Sequence, residues 1–312
     1  MNIFLKDVLE GLQATPKYLQ SKYFYNKKGD ELFQKIMNCD DYYLTNCELE
    51  IFKNQSSEIA SLFSSELIEF DIVELGAGDA TKSQYLLKSL LDKKIDFNYF
   101  PVDISENVID ILDKDLPNKL PGLRMKGLKG EYFEMLAKAK KLSEKLKIVL
   151  FLGSNIGNIK PEETVNFLKS LRKNLSVNDL VLIGFDLKKN PNTILKAYND
   201  SEGYTKAFNL NLLERINEEF GGNFNLSNFE HYPLYDPQTG SAKSFLISLK
   251  NQVVEIADKS ILFSENEFID MEISQKYSVD EINNFASQSG FKVKNHFFDS
   301  KKWFLDAVWQ CV

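Results

Sequence analysis

Glu74, Gly76 and Gly78 form an E-x-G-x-G spacing inside the stretch Phe70-Asp71-Ile72-Val73-Glu74-Leu75-Gly76-Ala77-Gly78-Asp79-Ala80-Thr81-Lys82-Ser83. Two glycines two positions apart let a ligand approach the backbone more closely than any Cβ would permit, and they accept positive φ without strain. That suits the cradling of a nucleotide-like ligand. The flanking elements would hold the turn in place: the apolar run before it reads as a strand, and Gln84-Tyr85-Leu86-Leu87-Lys88-Ser89-Leu90-Leu91 opens a helical pattern after it. A dinucleotide fingerprint needs a third small residue where Thr81 stands, and a P-loop needs a glycine directly before Lys82-Ser83. Both are disfavoured, while a tight turn with no ligand remains the competing explanation.

Further acids and polar groups fall where successive strands would end. Asp103 closes Asn98-Tyr99-Phe100-Pro101-Val102-Asp103-Ile104-Ser105 and stands 25 positions beyond Gly78, about the distance at which a βαβ unit places a carboxylate on ribose hydroxyls. A third strand is expected over Leu123-Arg124-Met125-Lys126-Gly127, with Glu131 and Tyr132 following it at a place suited to border an adenine. Lys147 to Leu152 reads as a buried strand that runs into the polar loop Gly153-Ser154-Asn155-Ile156-Gly157-Asn158, and Leu180 to Asp186 reads as a fifth strand. Ligands of open α/β sheets bind beyond the carboxyl ends of the strands, so these positions should share one crevice. The repeated strand-then-helix order predicts a parallel sheet.

Around this sheet the pattern is different. Residues 1 to about 60 read as helices and turns crowded with Tyr18, Tyr23, Phe24, Tyr25, Tyr42 and Tyr43. Residues about 191 to 275 mix a helix, Ala207 through Phe220, with the strand-like runs Ser244 to Leu249 and Val253 to Ile256. The chain then returns to a helix from Val279 to Gly290 and strands at Phe291 to Val293 and Trp303 to Val312. The expected fold is α/β: a Rossmann-like sheet domain of residues 58–190 plus 277–312, and a second, α+β lobe of residues 1–57 plus 191–276 closing over its binding edge. His231 is expected in a loop with no chemical role.

The 43% hydrophobic and 27% charged fractions are those of a globular protein, and the net charge of −7 argues against general affinity for nucleic acid. Cys39, Cys47 and Cys311 show no CxxC spacing, which points to a reducing cytoplasm. No apolar run approaches the ~18 residues of a membrane span, and an acid stands by position seven, so neither membrane nor targeting segment is expected. His231 and His296 are the only histidines, so no metal site is expected.

Several separated segments together resemble one family. They are Ser21-Lys22-Tyr23-Phe24-Tyr25 with Gly29-Asp30-Glu31-Leu32-Phe33, then Asp41-Tyr42-Tyr43-Leu44-Thr45, the E-L-G-A-G turn, Pro101-Val102-Asp103 and Phe151-Leu152-Gly153-Ser154 with Ile156-Gly157-Asn158. Phe185-Asp186-Leu187, Ala197-Tyr198-Asn199-Asp200, Ala207-Phe208-Asn209 and Glu272-Ile273-Ser274-Gln275-Lys276-Tyr277 continue the series. In order and spacing these resemble the histidine-specific methyltransferases that depend on S-adenosylmethionine (SAM), those of the ergothioneine pathway. The E-x-G-x-G turn is similar to motif I of class I methyltransferases.

The resemblance implies a class I methyltransferase sheet, SAM as co-substrate and no metal, and methylation of the α-amino group of L-histidine, up to trimethylation to hercynine. It implies that Gly76 and Gly78 hold the methionine end of SAM with Lys82 nearby as a further donor-binding residue, Asp103 the ribose, and Glu131 with Tyr132 the adenine. Tyr25 would sit near donor and amine. Tyr42, Asn158 and Tyr198 would grip the amino acid's α-amino and carboxylate groups, and Glu272 with Ser274 its imidazole. Tyr25 and Asn158 would orient the attacking amine without acting as strong bases. A methionine lining the side-chain pocket in the family is replaced here by Ser244, which leaves a larger and more polar space. Another amino acid or small amine thus stays open as substrate, as does a SAM-binding sensor without turnover. The expected partner is a small-molecule amino acid, and the expected state a monomer.

Overall fold

Phe70–Leu75 and Leu180–Asp186 are buried at every position and Leu146–Phe151 at nearly every one, the pattern of strands covered on both faces. The computed structural model describes residues 2–312. They form two compact units, one of the residues through Tyr43 with Lys189–Ser274, the other of Leu44–Lys188 with Gln275–Val312. The stretch 44–57, expected with the α+β lobe, thus belongs with the sheet unit. The reason is covalent: helix Tyr43–Glu66 runs unbroken through it. No helix among the described residues is long and apolar enough to cross a membrane.

In chain order the first unit opens with α1 (Ile3–Gln13), β1 (Lys17–Tyr18) and α2 (Lys27–Met37). Next come α3 (Tyr43–Glu66), β2 (Phe70–Leu75), α4 (Ser83–Asp92), β3 (Tyr99–Asp103) and α5 (Glu106–Lys119). The run continues with β4 (Leu128–Lys129), α6 (Tyr132–Leu142), β5 (Leu146–Phe151), α7 (Pro161–Lys173) and β6 (Leu180–Asp186). The first unit resumes with α8 (Pro191–Ala197), α9 (Tyr204–Phe220), β7 (Phe229–Asp236), β8 (Ser241–Ser248), β9 (Gln252–Ile256), β10 (Lys259–Phe263) and β11 (Phe268–Gln275). The chain ends on α10 (Val279–Gln288), β12 (Phe291–Phe298) and β13 (Phe304–Cys311).

The sheet unit has strand order β12-β13-β6-β5-β2-β3-β4. The order reverses between β2 and β5, which run parallel from Phe70↔Leu146 to Glu74↔Leu150. This is the Rossmann-like switch point, where ligands of open α/β sheets bind. The sheet is mixed and not wholly parallel as the strand rhythm predicts: β13 is antiparallel to both β6 and β12. Only residues 299–303 connect β12 to β13, too few for the crossover a parallel pair requires. The third strand also departs from expectation. Met125 makes an isolated bridge to Tyr99, and the ladder is confined to Leu128–Lys129, because Arg124 and Lys126 are exposed along a sheet edge that stays short. The core beneath α6, α7 and α10 is built from Val73, Val149, Phe151, Ile183, Phe185, Trp309 and their neighbours.

In the other unit a four-stranded sheet in the order β1-β11-β8-β7 alternates buried and accessible positions, with β9 and β10 as a separate hairpin. Its core joins Phe4, Leu12, Phe24 and Ile36 to Phe208, Leu212, Leu246, Ile269 and Met271. His231 lies on β7, opposite Leu246. It is buried in a strand and not in a loop, because Phe229, His231 and Tyr235 share the covered face.

Candidate functional site

The turn after β2 is built for close approach of a ligand. Gly76 and Gly78 take φ of +72° and +54°, and a Cβ on Gly78 would project into open space. Gly78 N donates to Asp103 Oδ2 at 3.2 Å and Ser105 N to Asp103 Oδ1 at 2.9 Å, so the ends of β2 and β3 are tied through one carboxylate. Burial raises the Asp103 carboxyl above its ordinary value, against the pull of those amides. Tyr132 closes on the same turn: its hydroxyl would lie 3.2 Å from a Cβ on Gly76, and Asn155 Nδ2 2.8 Å from it. A glycine cradle, a strand-end acid and a ring beside them fit the methionine, ribose and adenine parts of SAM.

The structure therefore brings Gly76, Gly78, Asp103 and Tyr132 together. Lys82 stands at the N-cap of α4 and pairs with Glu48 of α3. Glu131 is the exposed N-cap of α6, beside Tyr132. Asn158 ends a 3-10 turn, Asn155–Asn158, and its side chain is exposed. That turn is shaped by Gly153 and Ser154, both at positive φ, and by a hydrogen bond from Asp186 N to Ser154 Oγ at 3.1 Å. Gly157 passes so close to the chain that a Cβ there would sit 2.8 Å from the Gln275 carbonyl oxygen. Asn155 belongs to the polar loop that the sequence marks, whereas nothing in the sequence marks Glu48 or Asp306.

Two results are expected here. Gly76→Val would drive a branched side chain into Asn155 and Tyr132 at a positive φ, a cost of ~1–3 kcal/mol that weakens S-adenosylhomocysteine (SAH) binding about 5- to 150-fold. Calorimetry reads this directly, and an unchanged affinity would show that the turn does not cradle the donor. The second concerns Glu74, whose burial lifts its carboxyl to about 7 while Tyr99 Oη donates to it at 2.5 Å. A carboxyl with a higher pKa folded than unfolded stabilises fully below the unfolded value, and that contribution is lost as pH rises through the folded one. The window runs from about 4.5 to about 7. Glu74→Gln keeps an acceptor for Tyr99, and its melting temperature should exceed that of wild type by several degrees above pH ~7, converging below pH ~4.5. A gap that does not vary with pH in melting scans would contradict the assignment.

The other unit gathers a second polar group. Tyr198 Oη donates to Ser274 Oγ at 2.7 Å, and the Tyr42 ring stands edge-on to Tyr198 with centroids 6.3 Å apart. Asp41 fastens the two tyrosine segments: its carboxylate pairs with Lys196 Nζ at 2.6 Å and accepts from Ser201 N and Oγ, each at 3.0 Å. Glu272 is half-buried on β11 two residues before Ser274, and residues two apart on a strand share a face. Ser244 is buried on β8, with its hydroxyl 3.3 Å from His231 Nε2. Burial pushes the His231 imidazole down to about 4, so it is neutral at physiological pH. Tyr25 packs edge-to-face on Phe33 and Phe208. Among the described residues no group of three or more His, Cys, Asp or Glu is placed to hold a metal ion.

The family described as "Histidine-specific methyltransferase, SAM-dependent" matches residues 4–311. Histidine N-alpha-methyltransferase of Mycolicibacterium smegmatis is 30% identical over 296 residues, covering 94% of this chain and 90% of that protein. The protein of the same name from Mycobacterium tuberculosis is 31% identical over 274 residues, 87% of this chain and 84% of its own. Ergothioneine biosynthesis protein 1 of Neurospora crassa is 31% identical over 285 residues, 89% of this chain but 31% of the longer fungal protein. The chain is a methyltransferase and belongs to the histidine-specific, SAM-dependent family.

Proposed function

We propose that the enzyme transfers methyl groups to the α-amino nitrogen of L-histidine, in successive rounds up to the trimethylated betaine. In this reading the sheet unit holds the donor through Gly76, Gly78, Lys82, Asp103, Glu131 and Tyr132. The other unit grips the amino acid through Tyr42, Tyr198, Glu272 and Ser274, and Tyr25 and Asn158 orient the amine. The observation that carries it is the bonded pair Tyr198–Ser274 with Tyr42 edge-on and Glu272 two residues along the same strand, in a chain whose closely matched relatives bear the name histidine N-alpha-methyltransferase.

SAM supplies a methyl carried on a sulfonium. The amine must attack unprotonated, so the polar groups around it let its proton pass to water and hold the lone pair in line, and such orientation is worth ~7–11 kcal/mol of barrier. An amide and a tyrosine orient by hydrogen bonding and do not serve as strong bases. Each methyl removes an N–H donor until the product is a fixed cation, which tyrosine faces stabilise by cation–π contact. Once no N–H remains, the donor-dependent part of the grip is gone and the product leaves. The relatives named for ergothioneine biosynthesis support the same place for this reaction.

Incubation with SAM and each of the twenty amino acids, read by mass for gains of one to three methyls, tests the proposal. Histidine should be methylated at the α-nitrogen. Product from another amino acid alone would move the substrate to the polar space beside Ser244 and His231, and SAH binding without any product would favour a sensor.

A further inference from the structure

Beside the glycine turn, three buried carboxyls surround one ammonium. They are Glu48 of α3, Glu74 of β2 and Asp306 of β13, and the ammonium is Lys82 at the start of α4. Glu48 is shared three ways. One oxygen pairs with Lys82 Nζ, while Gly153 N donates to both oxygens at 2.9 Å. The third neighbour is another acid. Asp306 pairs across the ladder with Gly184, and a Cβ on Gly184 would stand 2.3 Å from Glu48 Oε1 and 3.2 Å from Asp306 Oδ1. The missing side chain of Gly184 is thus the space in which the two carboxyls meet.

Among the described residues no donor reaches either Asp306 oxygen, though the side chain is fully buried. Two adjoining carboxylates cannot both stay ionised without water. Burial first, then the charge of Glu48, drive Asp306 well above the usual carboxylate range. Burial works against the Lys82 ammonium, but the surrounding acids, Glu48 foremost, together outweigh it and raise that ammonium above its ordinary value. The stable arrangement is one proton on the acid pair, carried by Asp306 and donated to Glu48.

We propose that Asp306, by donating this hydrogen bond, positions Glu48 so that a single carboxylate fixes both Lys82 and the Gly153 amide, and that this buried acid pair sets the affinity for the amino-acid end of SAM. Asp306 and Glu48 are positioning residues, acting through Lys82 and the Gly153 loop, and the inference rests on the assignment of Lys82 to the donor. Lys82 keeps 19% of its side chain exposed while Glu48 keeps 1%, so the lysine can meet a ligand and the glutamate cannot. Without the proton on Asp306, Glu48 would face a second negative charge and turn away from Gly153.

The test is SAH affinity by calorimetry on the full chain, with the melting temperature and the KM for the amino acid measured alongside. Asp306→Asn retains an N–H donor toward Glu48 and should bind SAH within about threefold of wild type. Asp306→Ala should weaken SAH about 10- to 100-fold, as the loss of one hydrogen bond to a charged group implies, with the amino-acid KM unchanged. Asp306→Ser, small and still a donor, replaces the alanine variant if that does not fold, and should recover part of the affinity. Equal loss in the asparagine and alanine variants, or an alanine variant that binds SAH as wild type does, overturns the proposal. Lys82→Met separates the two levels. If it leaves SAH affinity unchanged, the assignment of Lys82 fails; if it weakens binding while Asp306→Ala does not, only the role of the acid pair fails.

Discussion

Truncating Glu272 to alanine is expected to raise the KM for histidine roughly 30- to 4,000-fold, the equivalent of ~2–5 kcal/mol for removing one partner of a desolvated charged hydrogen bond. SAH affinity should stay within about twofold. The contrast follows from chemistry on β11. Glu272 is half-buried there, and Ser274, two residues on, accepts from Tyr198 at 2.7 Å. A carboxylate only accepts hydrogen bonds, whereas a neutral imidazole always carries one N–H to give. On the proposed function, a carboxylate at Glu272 is expected to favour a ring with a donor over one without. Glu272→Gln keeps the shape but offers an amide with its own donors, and should fall between wild type and alanine. Initial rates against histidine concentration, beside SAH calorimetry, read both halves. Equal losses in histidine use and SAH binding would mean that the residue supports the fold and does not grip the side chain.

What was legible in the sequence depended on how local the cause is. The strand Leu180–Asp186 has the bounds that its apolar run announces, and the turn at Gly76 and Gly78 takes the positive φ that paired glycines suggest. Asp103 reaches Gly78 because one βαβ unit fixes their separation. Longer closures left no local sign. Glu48 meets Lys82 across 34 positions and Gly153 across 105, and in the sequence it is one more charge in a long helix. Around His231 the sequence carries Pro233, Asp236 and Pro237, which obscure its strand, and only its pairing with β8 brings it to Ser244. The Tyr198–Ser274 bond spans 76 positions. Only the family resemblance marks these two residues, since neither spacing nor periodicity distinguishes them from ordinary core groups.

Lys276→Met should produce the largest loss of stability of any substitution considered. Lys276 and Asp186 are both fully buried, with Nζ and Oδ2 2.8 Å apart. Asp186 stands where the chain leaves the sheet unit and Lys276 where it returns, and the adjoining backbone is pinned by Tyr277 N to Asp186 O at 3.0 Å and Lys188 N to Tyr277 O at 2.9 Å. Removing the ammonium breaks a pair whose two side chains are both buried, which costs ~3–5 kcal/mol. At ~2–4 °C per kcal/mol for a domain of this size, the melting temperature should fall by ~6–20 °C. Lys276→Met with Asp186→Leu removes both charges and should recover much of the loss, because two apolar side chains need no desolvation. Lys88→Met provides the contrast: its pair with Asp92 is 62% and 64% exposed and is worth ~0–1 kcal/mol. Added salt should narrow the Lys88 effect and leave the Lys276 effect in place, since buried charges are little screened. If the Lys276 variant melts no lower than the Lys88 variant, or the double variant melts lower than either single, the buried pair is not what secures this crossing.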